Sequence, residues 1–260
     1  MARRRRRARI VSRDAGPEGR RWRAAVARAA LAVAAVWIAQ PRPGLPPIPF
    51  AGCPADGQEG HVGPPSRAAR PVTLRDLPAG TLAWYQGASG PGAFAPRGWH
   101  CQRWYGPSGS TLVVTPEPVG PAFPPRRIRG QAVELEFAPG ATDGRFAAAV
   151  YAARLFPGRA ASFVARVRSE GLLPASAFRR GPYDDDALAY PEDNVAAFTT
   201  PARLTGLGTA GYLDPSGDAI RGLAILYDSG TATPDVAVLR VRLGARLRAL
   251  EDGILRLARP

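Results

Sequence analysis

Two stretches of this chain alternate apolar and charged positions with period two. In residues 132–137, Val133, Leu135 and Phe137 face one way while Glu134 and Glu136 face the other. In residues 236–243, Leu239, Val241 and Leu243 oppose Arg240 and Arg242. Each pattern predicts a strand with one face on a core and one in water. Residues 220–227 are apolar on both faces toward their end and belong at the centre of a sheet. Shorter strands are expected at 111–115, which is β-branched, and at 195–199. Helical spacing appears three times. Residues 145–156 follow the candidate caps Thr142 and Asp143 and stop at Pro157-Gly158. Residues 160–170 carry Phe163, Val164 and Val167 on one side and meet Gly171 as a stop. Residues 245–257 continue an apolar stripe from Leu243 through Leu247, Leu250 and Ile254 to Leu257. No internal repeat is visible. The expected class is α+β: a mostly antiparallel sheet with two or three packed helices, after an N-terminal signal or anchor segment.

Between these elements lies an aromatic stretch, residues 98–116. It holds Trp99, His100, Cys101, Trp104 and Tyr105, a turn at Gly106-Pro107-Ser108-Gly109-Ser110, and the β-branched run. An ordered segment of ambiguous type precedes it at 77–86, with Trp84 and Tyr85. Trp84, Tyr85, Trp99, His100, Trp104 and Tyr105 together are a candidate ligand surface, a groove for sugar or peptide. The competing reading makes them a small core pinned by a disulfide. Residues 116–130, with Pro124-Pro125-Arg126-Arg127, read as a linking loop, and residues 53–71 as a polar Gly/Pro-rich loop.

Charge changes the picture at the N-terminus. The chain has 260 residues and 35 basic side chains, all arginine, for a net charge of +14. Residues 1–42 hold twelve arginines against Asp14 and Glu18, whereas the remaining 218 residues carry 23 arginines and 19 acids. The excess therefore precedes the folded part, which argues against nucleic-acid binding. Residues 1–23 read as a basic leader and 24–39 as the apolar region of a signal or a membrane anchor. Residues 40–71 read as a Pro/Gly-rich linker and 72–260 as a single α+β domain tied back to Cys53. The membrane is thus an expected partner, transient or permanent, and the location is exported: periplasm, cell envelope or outside the cell.

In that compartment Cys53 and Cys101, the two cysteines of the chain, read as one disulfide. The box Phe50-Ala51-Gly52-Cys53 leaves lipidation as an alternative. Two cysteines with His61 and His100 are too few and too scattered for a zinc site. A Cys101 nucleophile would have only His61 as a base. The Gly206-to-Gly211 segment matches G-x-G-x-x-G, but Pro201 before it and Asp214-Pro215-Ser216-Gly217 after it deny the strand–helix context of nucleotide binding. Ser108 and Ser110 lack the strand–turn–helix setting of a hydrolase nucleophile. Asp184, Asp185 and Asp186, with Glu192 and Asp193, could serve a hard cation or acid–base chemistry, or else cap a short helix. No cofactor and no metal is expected.

The motifs Cys-Pro-Ala-Asp-Gly-Gln at 53–58, Ala-Pro-Arg-Gly-Trp-His-Cys at 95–101 and Tyr-Gly-Pro-Ser-Gly-Ser at 105–110 resemble those of an uncharacterised family of exported bacterial proteins. Gly-Pro-Tyr-Asp-Asp-Asp at 181–186, Thr-Pro-Ala at 200–202 and Gly-Leu-Gly-Thr at 206–209 extend the resemblance over most of residues 50–257. Pro107 departs from the expected serine. The resemblance implies a location and a cysteine pairing, with no established activity. Two functions are therefore carried forward: a binding module that meets an unknown envelope partner or ligand, and an envelope enzyme using the carboxylates around Asp184–Asp186.

Overall fold

The computed structural model describes residues 48–66, 80–181, 183, 185–228 and 232–260. The basic leader, the apolar segment, the start of the Pro/Gly linker and residues 67–79 lie outside them. Asp184 also lies outside. Among the described residues, no helix is long and apolar enough to cross a membrane.

The fold is mixed, with sheets dominating. In chain order the strands are β1 (Phe50–Gly52), β2 (Ala55–Gly57), β3 (Leu82–Gln86), β4 (Ala93–Pro96), β5 (His100–Gly106), β6 (Gly109–Thr115) and β7 (Ala132–Ala138). Two helices follow, α1 (Arg145–Leu155) and α2 (Ala161–Ser169). Then come β8 (Ala187–Glu192), β9 (Val195–Thr200), β10 (Ile220–Tyr227), β11 (Asp235–Arg242) and α3 (Glu251–Leu257). Eight strands form one sheet in the order β2-β5-β6-β7-β11-β10-β9-β8, and β1-β3-β4 form a second. Pairing is antiparallel except for β1 with β3 and β2 with β5.

The large sheet is covered on both faces. On one face Leu112, Val133, Leu135, Leu223 and Leu239 pack against the small sheet and α3, which contributes Ile254 and Leu255. On the other, α1 presents Ala148, Ala149 and Ala152, and α2 adds Phe163 and Val167. Alanines at the contact let α1 approach closely over Ala224 and Val238.

This double cover corrects one expectation. The charged faces of β7 and β11 are wet only at the partly exposed Glu136: Glu134 and Arg240 are 0% exposed and Arg242 2%. The two strands pair so that Arg240 stands directly opposite Glu134. Opposite charges in register satisfy each other, so a helix layer can close over them. Other differences are local. The stretch expected as loop from 53 contains β2, and β1 precedes it. Both are three-residue edge strands made by parallel pairing with a neighbour rather than by a pattern of their own. The C-terminal helix was expected from 245. It begins instead as a 3-10 turn at Arg248–Leu250, because Leu243 N–H donates to Glu251 Oε1 at 3.1 Å and holds the chain in a turn first. The hairpin β5–β6 turns at Pro107-Ser108, inside the expected segment.

Cys53 and Cys101 form a disulfide. It spans 48 positions, a loop whose closure is worth about 4 kcal/mol on the chain-entropy account. The bond ties β1 and β2 to β5, is compatible with an oxidising, exported location, and removes Cys101 as a free nucleophile.

Candidate functional site

On the helix-covered side, one cross-strand row runs Asp56–Trp104–Thr111–Glu136 across β2, β5, β6 and β7. Along this row lies a groove of about 910 Å³ whose lining includes all four residues and Ala147 of α1. Its size suits a small-molecule or short-chain ligand.

The walls are aromatic. Trp104 is 3% exposed, and its indole N–H donates to Pro121 O at 2.8 Å, which fixes the 116–127 loop over the sheet. That loop carries Phe123, a residue 67% exposed. Phe123 lies 6.4 Å from Trp104 and 6.4 Å from Tyr212, and Trp104 lies 6.3 Å from Tyr212. Three rings in mutual contact make a rigid apolar wall with one face in solvent.

The floor is charged. Arg240 Nη1 lies 2.9 Å from Glu134 Oε1 and 2.9 Å from Glu136 Oε2. Arg240 Nη2 donates to Tyr151 Oη at 2.9 Å, and Arg240 Nε donates to Leu207 O at 2.9 Å. Tyr151 O–H in turn donates to Glu136 Oε2 at 2.8 Å. Tyr212 N–H donates to Glu134 Oε2 at 2.9 Å, which sets the position of the Tyr212 ring. Burial pulls the Arg240 guanidinium down, but Tyr151, Glu134 and Glu136 outweigh it, so it is held above its ordinary value. Burial, then Glu136, raises Tyr151, which stays a phenol and keeps its proton to donate. Burial raises the Glu134 carboxyl, against Arg240. Glu134 is sealed, whereas the side chain of Glu136 is 23% exposed and reaches the groove.

The glycine segment before Tyr212 has a packing role. A Cβ at Gly211 would stand 1.8 Å from Glu134 Oε1, one at Gly208 2.7 Å from Ile220 Cβ, and one at Gly206 2.1 Å from Asp186 Oδ1. The glycines let the backbone approach its neighbours closely, and at Gly211 that neighbour is the buried Glu134–Arg240 pair. A 3-10 turn at Leu207–Thr209, not a helix, follows β9 here.

The six residues expected as a ligand surface divide between the two faces. Trp104 and Tyr105 line the groove. Tyr85 is 1% exposed, donates its O–H to Pro96 O at 2.8 Å and accepts from Trp99 N–H at 3.0 Å. Trp84 packs on Phe94 at 4.7 Å, and Trp99 packs on the same core. His100 is exposed opposite Thr115. The cluster is thus split: Trp104 and Tyr105 border the groove, while Trp84, Tyr85 and Trp99 belong to the core under the small sheet.

The acids are likewise dispersed. Asp186 accepts from Thr200 O–H at 2.5 Å and from Leu207 N–H at 2.8 Å, holding the β9–β10 connection. Glu192 and Asp193 sit exposed at the β8–β9 turn. Among the described residues, no group of three His, Cys, Asp or Glu is placed to hold a metal ion. Sequence reasoning missed Glu136, Phe123, Tyr212 and Tyr151. The usable signal was the opposite charge of the two alternating strands, Glu-x-Glu at 134–136 and Arg-x-Arg at 240–242. Comparison with family models, curated proteins and solved structures finds no match to this chain.

Proposed function

We propose that this chain is an exported ligand-binding module of the cell envelope, carried across or held at the membrane by its basic and apolar N-terminal segment. Its ligand lies in the groove along β5–β7, against the rings of Phe123, Trp104 and Tyr212. One observation carries this reading: a phenylalanine left 67% exposed against two further aromatic rings, lining the same groove as the carboxylate Glu136. An exposed ring held rigid beside a polar floor is how a binding surface is built, since its burial is gained on ligand contact. The disulfide supports the compartment.

The test is a fragment screen read by NMR on the oxidised domain. Fragments should shift the Trp104 indole and Tyr212 ring signals, and Phe123→Ala should weaken the best of them about tenfold or more. A screen in which no fragment moves either signal rejects the reading. Intact mass of the protein recovered from the envelope checks the location. It should be two hydrogen atoms lighter than the same chain after reduction.

A further inference from the structure

The groove has a charge character that the rest of the chain lacks. With 35 arginines in the sequence, chance alone would place some along any large opening. Among the described residues, no Arg and no His lines this one, while Asp56 and Glu136 do. Beneath Glu136, Glu134 adds a second buried carboxylate, and Arg240 is the guanidinium set against that pair. Arg127 keeps its charge but turns it onto backbone, its Nη1 donating to the carbonyls of Thr209, Gly211 and Leu213 at 3.0, 2.6 and 3.4 Å. The acids Asp56, Glu134 and Glu136 still outnumber Arg240 and Arg127. The local sum at the floor favours a positive guest.

The geometry of Glu136 points the same way. Both contacts it receives, from Tyr151 and Arg240, fall on Oε2. Among the described residues, no hydrogen bond to Oε1 appears beside them. A carboxylate held on one oxygen keeps acceptor capacity on the other, without turning. Tyr212 registers the same field at the mouth of the groove. Its phenol is raised first by burial, then by Glu134 and Glu136, with Arg127 opposing. The aromatic wall completes the set, because the π faces of Trp, Tyr and Phe attract a cation that has left bulk water.

We infer that the groove selects a cationic group, a guanidinium or primary ammonium on an apolar stem. The stem lies along the Phe123–Trp104–Tyr212 wall and the charged head reaches Glu136 Oε1, with Asp56 on the opposite side of the row. Anionic ligands are refused by the same carboxylates. This inference rests on the groove being the binding site and specifies what it takes. The head can arrive on a free amine or on a basic side chain of a peptide, and the chemistry at Glu136 is the same in either case.

The experiment titrates the oxidised full chain, by calorimetry and by NMR of Trp104 and Tyr212, with three probes on short alkyl stems that differ in the charge of the head: butylguanidinium, butylurea and butyrate. A fourth, blocked Gly-Arg-Gly, separates a peptide source from a free amine. Butylguanidinium should bind at least about tenfold more tightly than butylurea, the size of one charge-assisted hydrogen bond, and butyrate should not bind. Glu136→Gln should remove that preference, bringing butylguanidinium to the affinity of butylurea. If Glu136→Gln does not fold, Asp56→Asn and a rise in salt serve instead, and each should weaken the guanidinium probe alone. Tighter binding of the peptide assigns a peptide source, and equal or weaker binding a free amine. Should butylurea or butyrate shift the ring signals as strongly as butylguanidinium, the cation preference is overturned while the binding site stands. Should no probe shift them, the preference is overturned and the site itself falls with it.

Discussion

Each face of the large sheet buries an arginine completely, and the two are handled differently. On the helix-covered face Arg240 meets two carboxylates, a phenol and a carbonyl. On the face under the small sheet, Arg103 is equally sealed at 0% exposure. Its Nη1 donates to Ser110 Oγ at 2.8 Å and its Nη2 to Pro91 O, while its Nε has no partner. No carboxylate among the described residues pairs with it. Burial alone pulls Arg103 down to about 10, whereas Arg240 is raised. The glycine loop above Arg103 fits it closely, since a Cβ at Gly90 would lie 2.2 Å from Nη1. The contrast teaches that burial does not tell a plug from an anchor. Arg103 fills space under a loop with its stem and spends its charge on neutral acceptors. Arg240 balances two acids, and one of those acids is what the sheet offers to the groove.

The sharpest way to break this comparison is to make the same substitution at both sites. Arg240→Met strands Glu134 and Glu136 without their cation, and a loss of about 3–5 kcal/mol of folding stability is expected. Urea unfolding reads it as a lowered midpoint with little change in slope. Adding Glu134→Leu should recover part of the loss, because a vacated pair is less costly than a lone buried charge. A fully additive double variant would mean that the two side chains do not act as a unit.

Next in size is Gly211→Ala. The new Cβ meets Glu134 Oε1, which is buried and cannot swing away. Overpacking of this kind is expected to cost about 1–3 kcal/mol. It should also displace Tyr212, whose N–H is bonded to the same carboxylate, and so perturb the aromatic wall. A neutral Gly211→Ala would show that the ion pair can shift without consequence.

Much of the scaffold was legible in the chain, for reasons that locate what was not. Period-two alternation found β7 and β11, helical spacing found α1 and α2, and an even cysteine pair indicated the staple. Those signals are local. Alternation says that a strand has two unlike faces, but not what covers the charged one. Arg240 and Glu134 are 106 positions apart, and only their register across β7 and β11 turns two wet faces into one buried pair. The candidate surface failed on the same ground. Trp99 and Trp104 are close in sequence, yet one packs under the small sheet and the other lines the groove on the opposite face. Phe123 sat in a proline-rich stretch with no periodicity, so nothing local marked it as a wall of the groove. The glycines of 206–211 resembled a nucleotide motif because a loop pressed against buried ions and a loop pressed against phosphates ask for the same missing Cβ.

A smaller effect is expected at the other arginine. Arg103→Met should change stability by about 1 kcal/mol or less, in either direction, because it removes an unpaired buried cation and leaves only Pro91 O and Ser110 Oγ short of a donor. Thermal unfolding of Arg103→Met and Arg240→Met side by side measures the contrast directly. Equal losses would erase the distinction between plug and anchor.

The least of these effects concerns pH and draws on an acid under the small-sheet side. Glu251 is 4% exposed and accepts from Leu243 N–H. Burial raises its carboxyl, and the Leu243 N–H and Arg221 oppose that only in part. A raised carboxyl holds its proton more tightly in the folded chain than in the unfolded one. As pH climbs from the unfolded carboxyl value of about 4.3 toward the higher folded value, the native state therefore binds more protons, and stability falls with pH. Above the folded value the contribution levels off. Glu251→Gln deletes this slope. Relative to the variant, the parent should lose stability across that acidic window and run parallel to it above. Glu134 contributes with the same sign on the helix face, but it is present in both proteins and cancels in the difference. A difference curve that is flat, or that rises with pH, would mean that Arg221 and the Leu243 amide outweigh burial. Glu251 would then be held as an ion by its partners, not left to the cost of its own desolvation.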